Sequence, residues 1–336
     1  MKKFDVLFID PVAYKHYDTL KLDREPLGGT EATVVRVAEG LAARGLTVGV
    51  VNKHTQEPTM GSFAYFLPLN DDILKYDPDH LVSIRGTALM EQFPKALKYS
   101  WHHDYPDARI IPMAPIFQKH DAFVIGVSDF HANELKRLLN NENWAKIPRV
   151  KRIYNPLDPR ILVPPKAKVA YNRNQMVWAA SPHKGLEKAI EQFKIVKQIM
   201  PKMELHVYHP GYMDAEFANV QGVMNIGPMP CQQLWQAMSE SLCVFYPTDF
   251  LETFGLIAAE ANAVHTPIAT MGIGALNETV QTSDQLVTRN DYQSLIKKIE
   301  LWYNNPKSRP EVCFQPRFKL ESVVDEWLEM FQKRKK

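Results

Sequence analysis

The sequence predicts an α/β protein built from two Rossmann-like, doubly wound domains facing across a cleft. Apolar strand-like runs alternate with helical stretches, the pattern of a parallel sheet covered by helices. The alternation is interrupted by the proline-rich stretch NPLDPRILVPPKAK, within residues 155 to 175, and then restarts. A chain of 336 residues is long enough for two ordinary cores. The expected division is an N-terminal domain over residues 1–160, a second domain over 161–314, and a terminal helix over 315–336.

In the first half, KFDVLFID reads as a buried strand, followed by a long loop containing Pro11, Asp23 and Pro26. Gly28 and Gly29 then open a helix with apolar residues at helical spacing, and Gly45 closes it. LTVGVVN is the next strand and completes a β-α-β unit. HLVSI, ALKYSWHHD and AFVIGVS are further strands, and DFHANELKRLLN a helix. After the prolines come the strand QMVWAAS, a helix from Lys184 to Met200, the strand MELHVYH, the helix CQQLWQAMSES, the strand LCVFYPT, the helix GLIAAEANA and the strand TPIAT. Two such halves present their strand carboxyl ends to a shared cleft, the expected place for a ligand.

Composition narrows the function classes. Hydrophobic residues make up 45% and charged residues 23%, the profile of a globular protein that folds by burial. Forty basic against thirty-eight acidic side chains leave a net charge of +2, too little to draw the chain to nucleic acid. The basic run Lys333, Arg334, Lys335 and Lys336 could make weak peripheral contact with anionic headgroups, at about 1 kcal/mol per residue, or simply end a solvated helix. Cys231, Cys243 and Cys313 form neither a metal spacing nor an even disulfide framework, which suits a reducing compartment. The start MKKFDVLFIDP is too short in its apolar run for a signal peptide, so a cytoplasmic protein is expected.

Glu252 and Glu260 bracket ETFGLIAAE, directly after the strand SLCVFYPTDF. A helix N-terminus at the carboxyl end of a sheet offers unpaired amides and partial positive charge to a diphosphate. Eight residues of helix rise ~12 Å, so the two carboxylates could span one nucleotide-sugar. Ser181-Pro182-His183-Lys184-Gly185 follows the first strand of the second half, where Lys184 is a natural counter-charge for a diphosphate. Gly28-Gly29-Thr30-Glu31 can bring backbone amides against an anion or serve a plain chain reversal. It is neither a G-x-G-x-x-G nor a P-loop. In Trp101-His102-His103-Asp104, a histidine beside a carboxylate that fixes its tautomer could bond a substrate hydroxyl. Adjacent histidines alternate along a strand, so one is expected to face the cleft. The trio makes a poor metal ligand set. Asp77-Pro78-Asp79 precedes HLVSI and reads as a turn.

These motifs resemble the retaining, metal-independent glycosyltransferases of the GT-B fold, in particular family 4, glycosyltransferase group 1. The resemblance runs through GGTEATVVRVAEGLAARGLTV, HHD, VIGVSDF, YNPLD, SPHKG, FLETFGLIAAEANA and GALNETV, and FKLESVVDEWLEMF is similar to the family's terminal helix, which crosses back to the first domain. It implies that Glu260 binds the nucleotide ribose and Glu252 the hydroxyls of the donor sugar. The implied diphosphate site is formed by Ser181, Thr253 and the amides of Phe254, Gly255 and Leu256, with Lys184 neutralising it and Gly28 and Gly29 approaching from the other domain. His103 would lie beside sugar and acceptor. The implied partners are a UDP- or GDP-sugar and a glycan, lipid-linked or small-molecule acceptor, with no metal and no cofactor beyond the donor itself.

The chain departs from the family pattern at three places. Many members carry an arginine shortly before the lysine; here the stretch is Ala179-Ala180-Ser181-Pro182-His183-Lys184-Gly185, which leaves Ser181 and His183 to serve in place of a second cation. His265 and His209 stand where glycines are common. The missing arginine keeps a catalytically inactive GT-B-like binding subunit in view, and a nucleotide-sugar epimerase is the rival enzyme. Acceptor binding is expected in loops 10–27 and 53–70.

Overall fold

The computed structural model describes residues 2–140, 147–162, 171–211 and 220–335. The chain forms two compact units, one of Met1–Asp23, Leu27–Pro156 and Arg317–Lys336, the other of Arg24–Pro26 and Leu157–Pro316.

The first unit starts with β1 (Lys2–Asp10), whose last five residues are all buried. Next come α1 (Thr19–Arg24), α2 (Gly29–Ala43), β2 (Val48–Asn52), β3 (Thr59–Met60), β4 (Tyr65–Pro68), β5 (Tyr76–Ile84), β6 (Leu97–Trp101), α3 (Ala114–Lys119), β7 (Phe123–Gly126), α4 (Asp129–Leu139) and β8 (Arg149–Arg152). They make an eight-stranded sheet in the order β3-β4-β2-β1-β5-β6-β7-β8, parallel except where β3 meets β4. The helix α2 ends as its glycine predicts: Gly45 takes φ +92° and its amide donates to the Ala42 carbonyl.

Three readings of this half need correcting. Asp77, Pro78 and Asp79 are not a turn. They lie inside β5, where Asp77 and Pro78 pair in register with Lys3 and Phe4 of β1 and Lys3 bonds both carboxylates. Cross-strand charge pairing holds the strand open past its proline. The strand β6 ends at Trp101, so His102 and His103 lie beyond it. Residues 53–70 are not one loop, since β3 and β4 fold there as a hairpin against the sheet edge. Glu39 of α2 pins this hairpin by accepting from the amides of Ser62 (2.9 Å), Phe63 (2.7 Å) and Ala64 (3.3 Å).

The second unit contains β9 (Asn172–Ala179), α5 (Leu186–Ile199), β10 (Glu204–Tyr208), β11 (Val223–Gly227), α6 (Cys231–Ser239), β12 (Ser241–Tyr246), α7 (Leu256–Ala263), β13 (Ile268–Met271), α8 (Leu276–Thr279), β14 (Leu286–Val287) and α9 (Tyr292–Asn304). All strand pairs are parallel, in the order β11-β10-β9-β12-β13-β14. The run SLCVFY of β12 is buried at every position, as a central strand covered on both faces requires. The chain winds outward from β9 to β11 and returns to place β12 beside β9, so these two strands flank the topological switch point.

Of the proline-rich stretch, residues 163–170 lie outside the described residues. The part before it is not a bare linker. Leu157, Asp158 and Ile161 are buried, and the turn Pro159–Leu162 packs on α6 and α7. The closing helix, α10 (Leu320–Lys335), belongs to the first unit. Gly40 of α2 lets it approach, because a Cβ there would lie 2.6 Å from Val324 Cγ2. Trp327 of α10 packs edge-on against Trp101 with ring centroids 4.9 Å apart. Among the described residues no helix is long and apolar enough to cross a membrane.

Candidate active site

At the switch point of the second sheet, the loops leaving β9 and β12 meet. The first carries Ser181 to Gly185 and the second Pro247 to Gly255. Thr248 ties them together: its hydroxyl donates to the Lys184 carbonyl (2.6 Å) and accepts from the Phe250 amide (3.0 Å). Gly185 makes the turn possible, since φ +107° is a conformation that side chains resist.

This junction brings Lys184 and Glu252 into contact. Lys184 Nζ stands 2.9 Å and 3.0 Å from the two carboxylate oxygens. Glu252 is 6% exposed at its side chain and Lys184 27%, so the carboxylate is withdrawn from water and needs its partners. Tyr246, at the end of β12, supplies another: its hydroxyl donates to Glu252 Oε1 over 2.7 Å. Burial and the Glu252 charge push that phenol well above the ordinary tyrosine range, so it stays protonated and donating. The ammonium also lies 5.0 Å from the Phe250 ring centre, a cation-π distance.

The N-terminus of α7 adjoins this cluster. Gly255 precedes the helix with φ +82°, and a Cβ on it would come within 2.8 Å of Leu276 Cδ2. Ala275, in the GALNE segment, donates its amide to the Glu252 carbonyl (3.0 Å) and fixes the backbone under the carboxylate. Thr253 and Phe254 are buried and Leu256 is the first residue of α7. Glu252 itself is on the loop. The ~12 Å helical span expected between the glutamates is therefore replaced by a loop plus only four helical steps from Leu256 to Glu260, which rise ~6 Å. Glu260 is half-buried on α7, and Ser181 is buried with its carbonyl accepting from the Lys184 amide.

The departures from the family pattern have local explanations. His183 lies exposed on the turn Pro182–Lys184 and packs edge-on against Phe250; partial desolvation, then the neighbouring Lys184, hold its pKa below the ordinary histidine range. His265 takes φ +61°, the left-handed conformation a glycine would accept freely, and its Nδ1 donates to the Val312 carbonyl at 2.8 Å. His209 Nδ1 accepts from the Gly211 amide at 3.3 Å and shapes the turn after β10.

The first unit has its own polar centre at its switch point, where β1 and β5 end side by side. Arg85, after β5, also has a left-handed φ of +59°. Its guanidinium approaches Asp10 (3.9 Å), Glu31 (3.7 Å) and Asp104 (3.1 Å). Asp10 also accepts from the Tyr17 hydroxyl at 2.9 Å, which fastens the loop after β1 to the sheet. Burial raises the pKa values of Asp10 and Glu31, with Arg85 opposing. Sequence reading missed this cluster because its members lie far apart in the chain; Asp10 and Arg85, each at a strand end, were the available signal.

His103 is buried beside this cluster, 4.6 Å from the Trp101 ring between centroids. Burial, then Arg85 and the neighbouring histidines, depress its pKa well below the usual value, so it is neutral. The Asp104 carboxylate, expected to fix a histidine tautomer, faces Arg85 at 3.1 Å. Both histidines are buried, His102 against Ser100 and His103 against Trp101. His102 Nε2 donates to Ser100 Oγ at 2.8 Å, whose own proton goes to the Gly86 carbonyl. Gly28 caps α2 with φ −63° and Gly29 begins it. Among the described residues no group of three or more histidine, cysteine, aspartate or glutamate side chains is placed to hold a metal ion.

Residues 170–312 match the family of glycosyl transferases group 1, a span that includes the whole Lys184, Tyr246 and Glu252 cluster. Solved structures similar over nearly the whole chain have low identity. Sucrose-phosphate synthase from Thermosynechococcus elongatus is 16% identical with a TM-score of 0.73, covering 99% of each chain. HepE of Anabaena, in complex with UDP-glucose, is 14% identical with a TM-score of 0.69, covering 99% of this chain and 100% of that one. AviGT4, a glycosyltransferase involved in avilamycin A biosynthesis, is 14% identical with a TM-score of 0.66, covering 98% of each. No curated protein matches the chain. The segment carrying Lys184 and Glu252 thus matches the group 1 glycosyl transferases, and the chain as a whole shares the GT-B fold, with its two parallel sheets, of these solved structures.

Proposed function

We propose that the protein transfers a sugar from a nucleoside-diphosphate donor, a UDP- or GDP-sugar, to a hydroxyl of a glycan, lipid-linked or small-molecule acceptor, with retention at the anomeric carbon and without a metal. The observation that carries the reading is the Lys184–Glu252 pair at the switch point beside the N-terminus of α7. A donor entering there exchanges partners with it. Its diphosphate takes the Lys184 ammonium and the amides of Phe254, Gly255 and Leu256, while its sugar hydroxyls donate to the freed Glu252 carboxylate. Glu260 takes the ribose. The binding of UDP-glucose by HepE, which shares the fold, favours UDP as the first donor to try.

In the transfer, the bond from the anomeric carbon to the phosphate oxygen breaks and its electron pair stays on the diphosphate. The acceptor oxygen bonds the anomeric carbon from the face that was vacated, and its proton passes to the departing phosphate. Lys184 and the amides stabilise the growing charge, and one preorganised donor of this kind contributes about 3 kcal/mol. His103, held neutral, can exchange a hydrogen bond with a hydroxyl without competing as a cation. No cofactor beyond the donor is invoked. A cytoplasmic setting is proposed because Cys231, Cys243 and Cys313 form no disulfide. Any lipid contact of the basic tail excludes Arg334, which turns inward to the carbonyls of Lys98 and Asp121, both at 2.7 Å.

The test is a panel of UDP- and GDP-sugars with nucleotide release followed over time, with and without EDTA. The reading expects release with at least one donor and no change on chelation. Nucleotide binding with no turnover on any donor would favour the inactive-subunit reading, and loss of turnover with EDTA would contradict the metal-free mechanism.

A further inference from the structure

Tyr246 has a role that neither the sequence motifs nor the donor contacts include. Its backbone is fixed on two sides, as the carbonyl accepts from Thr270 Oγ1 (2.7 Å) and from the Thr248 amide (2.8 Å). Its ring is completely buried and packs near Trp178 of β9, with centroids 6.4 Å apart. The hydroxyl therefore has little freedom, and it meets one oxygen of the carboxylate that Lys184 also holds. The two partners differ in kind. Tyr246 projects from a buried central strand, whereas Lys184 is a flexible side chain, part-exposed, from the short turn Pro182–Lys184.

We infer that Tyr246 is a positioning residue: it keeps the Glu252 carboxylate aimed at the donor sugar after Lys184 has left it for the diphosphate. The inference rests on the donor-site reading above. When the ammonium moves to the phosphates, Glu252 loses two charge-assisted hydrogen bonds while still buried. A carboxylate without a remaining anchor would follow the lysine or rotate away from the sugar. With Tyr246 on Oε1, Oε2 is left as the acceptor for a sugar hydroxyl, at a position set by a strand and not by a mobile loop. The phenol also lowers the cost of separating the Lys184–Glu252 pair, since the carboxylate left behind is not bare.

The experiment compares wild type, Tyr246→Phe, Glu252→Gln and the double variant, measuring binding of UDP alone, binding of the UDP-sugar, and turnover. Tyr246→Phe should leave UDP affinity nearly unchanged while kcat/KM for transfer falls about tenfold, the usual scale of one hydrogen bond to a charged group. In the Glu252→Gln background the same substitution should have little further effect, because its action runs through the carboxylate. An unchanged kcat/KM in Tyr246→Phe, or an equal loss in both backgrounds, would overturn the positioning role, the latter pointing to packing alone. Should the variant fold poorly, the wild-type protein with a bound UDP-sugar decides the matter in a crystal. The expected geometry keeps Tyr246 Oη within hydrogen-bond distance of Glu252 while Lys184 Nζ contacts phosphate; a detached Tyr246 would contradict the inference. A wild type that neither binds UDP nor turns over any donor would instead remove the donor-site reading on which the inference stands.

Discussion

Single side chains here do work that their neighbours in sequence do not disclose. Lys184 sits where a helix start mildly disfavours a cation, and the structure resolves the mismatch by pairing it with Glu252. Glu252→Ala should therefore damage more than sugar binding. It leaves Lys184 free to hold diphosphate, so UDP affinity should persist or rise while turnover falls by two orders of magnitude or so, on the scale of losing one preorganised group. Parallel UDP titrations and rate assays would show this, and equal losses in both would count against it. His102 gives a second prediction. Burial, then Arg85, bring its pKa down to about 4, below the value near 6.5 that it regains on unfolding. The unfolded chain thus binds the extra proton between those values, and stability is lost as pH falls from about 6.5 toward 4, at ~1.4 kcal/mol per unit for that group. Asp10 and Glu31 act in the opposite sense through their raised values, so the comparison must be with a variant that keeps them. The drop in melting temperature between pH 7 and pH 5 should be smaller in His102→Gln than in wild type; an equal drop would refute the assignment. Glu252 and Lys184 could be picked from the sequence because each follows a strand in the register of a known motif. Tyr246 could not, since a tyrosine in SLCVFY reads as core until its hydroxyl is seen to face a carboxylate.

Among the elements, the strands and helices with long apolar runs were the legible ones. The run VLFID, the helix after Gly28 and the run SLCVFY declare themselves through burial on one face or two. The hairpin of β3 and β4 did not, because it is short, lies at the sheet edge and is held by Glu39 from a distant helix. The first residues of β5 did not either, since Asp-Pro-Asp carries turn residues and is kept extended by Lys3 across the ladder. Turns with left-handed residues are where single substitutions should tell most. Gly255→Ala meets both a φ of +82° and Leu276 at 2.8 Å. It should cost about 1–3 kcal/mol in unfolding free energy and weaken donor binding by shifting the start of α7. His265→Ala keeps the left-handed strain and loses the bond to Val312, so it should destabilise more than His265→Gly, which relieves the strain. Chemical denaturation of the two variants decides the order, and a more stable alanine variant would contradict the explanation.

For the whole molecule, the doubly wound pattern explains why the polar clusters gather where they do. Each sheet has one switch point, between β1 and β5 in one unit and between β9 and β12 in the other. Each switch point holds an ionic cluster built on buried carboxylates: Asp10 and Glu31 with Arg85 in the first, Glu252 with Lys184 in the second. The alternation of strands and helices was legible in sequence because both sheets are almost wholly parallel and therefore read as continuous apolar runs. The clusters were only half legible, since they join residues that topology, and not sequence distance, brings together. The second cluster is proposed to receive a nucleotide-sugar through Lys184. Calorimetric titration of UDP-glucose and a GDP-sugar into the wild-type protein and Lys184→Ala tests it most directly. Wild type should bind one of them saturably, with binding weakened about ten- to a hundred-fold in the variant, the scale of a charge-assisted bond to phosphate. No binding by wild type, or equal binding by the two proteins, would contradict it.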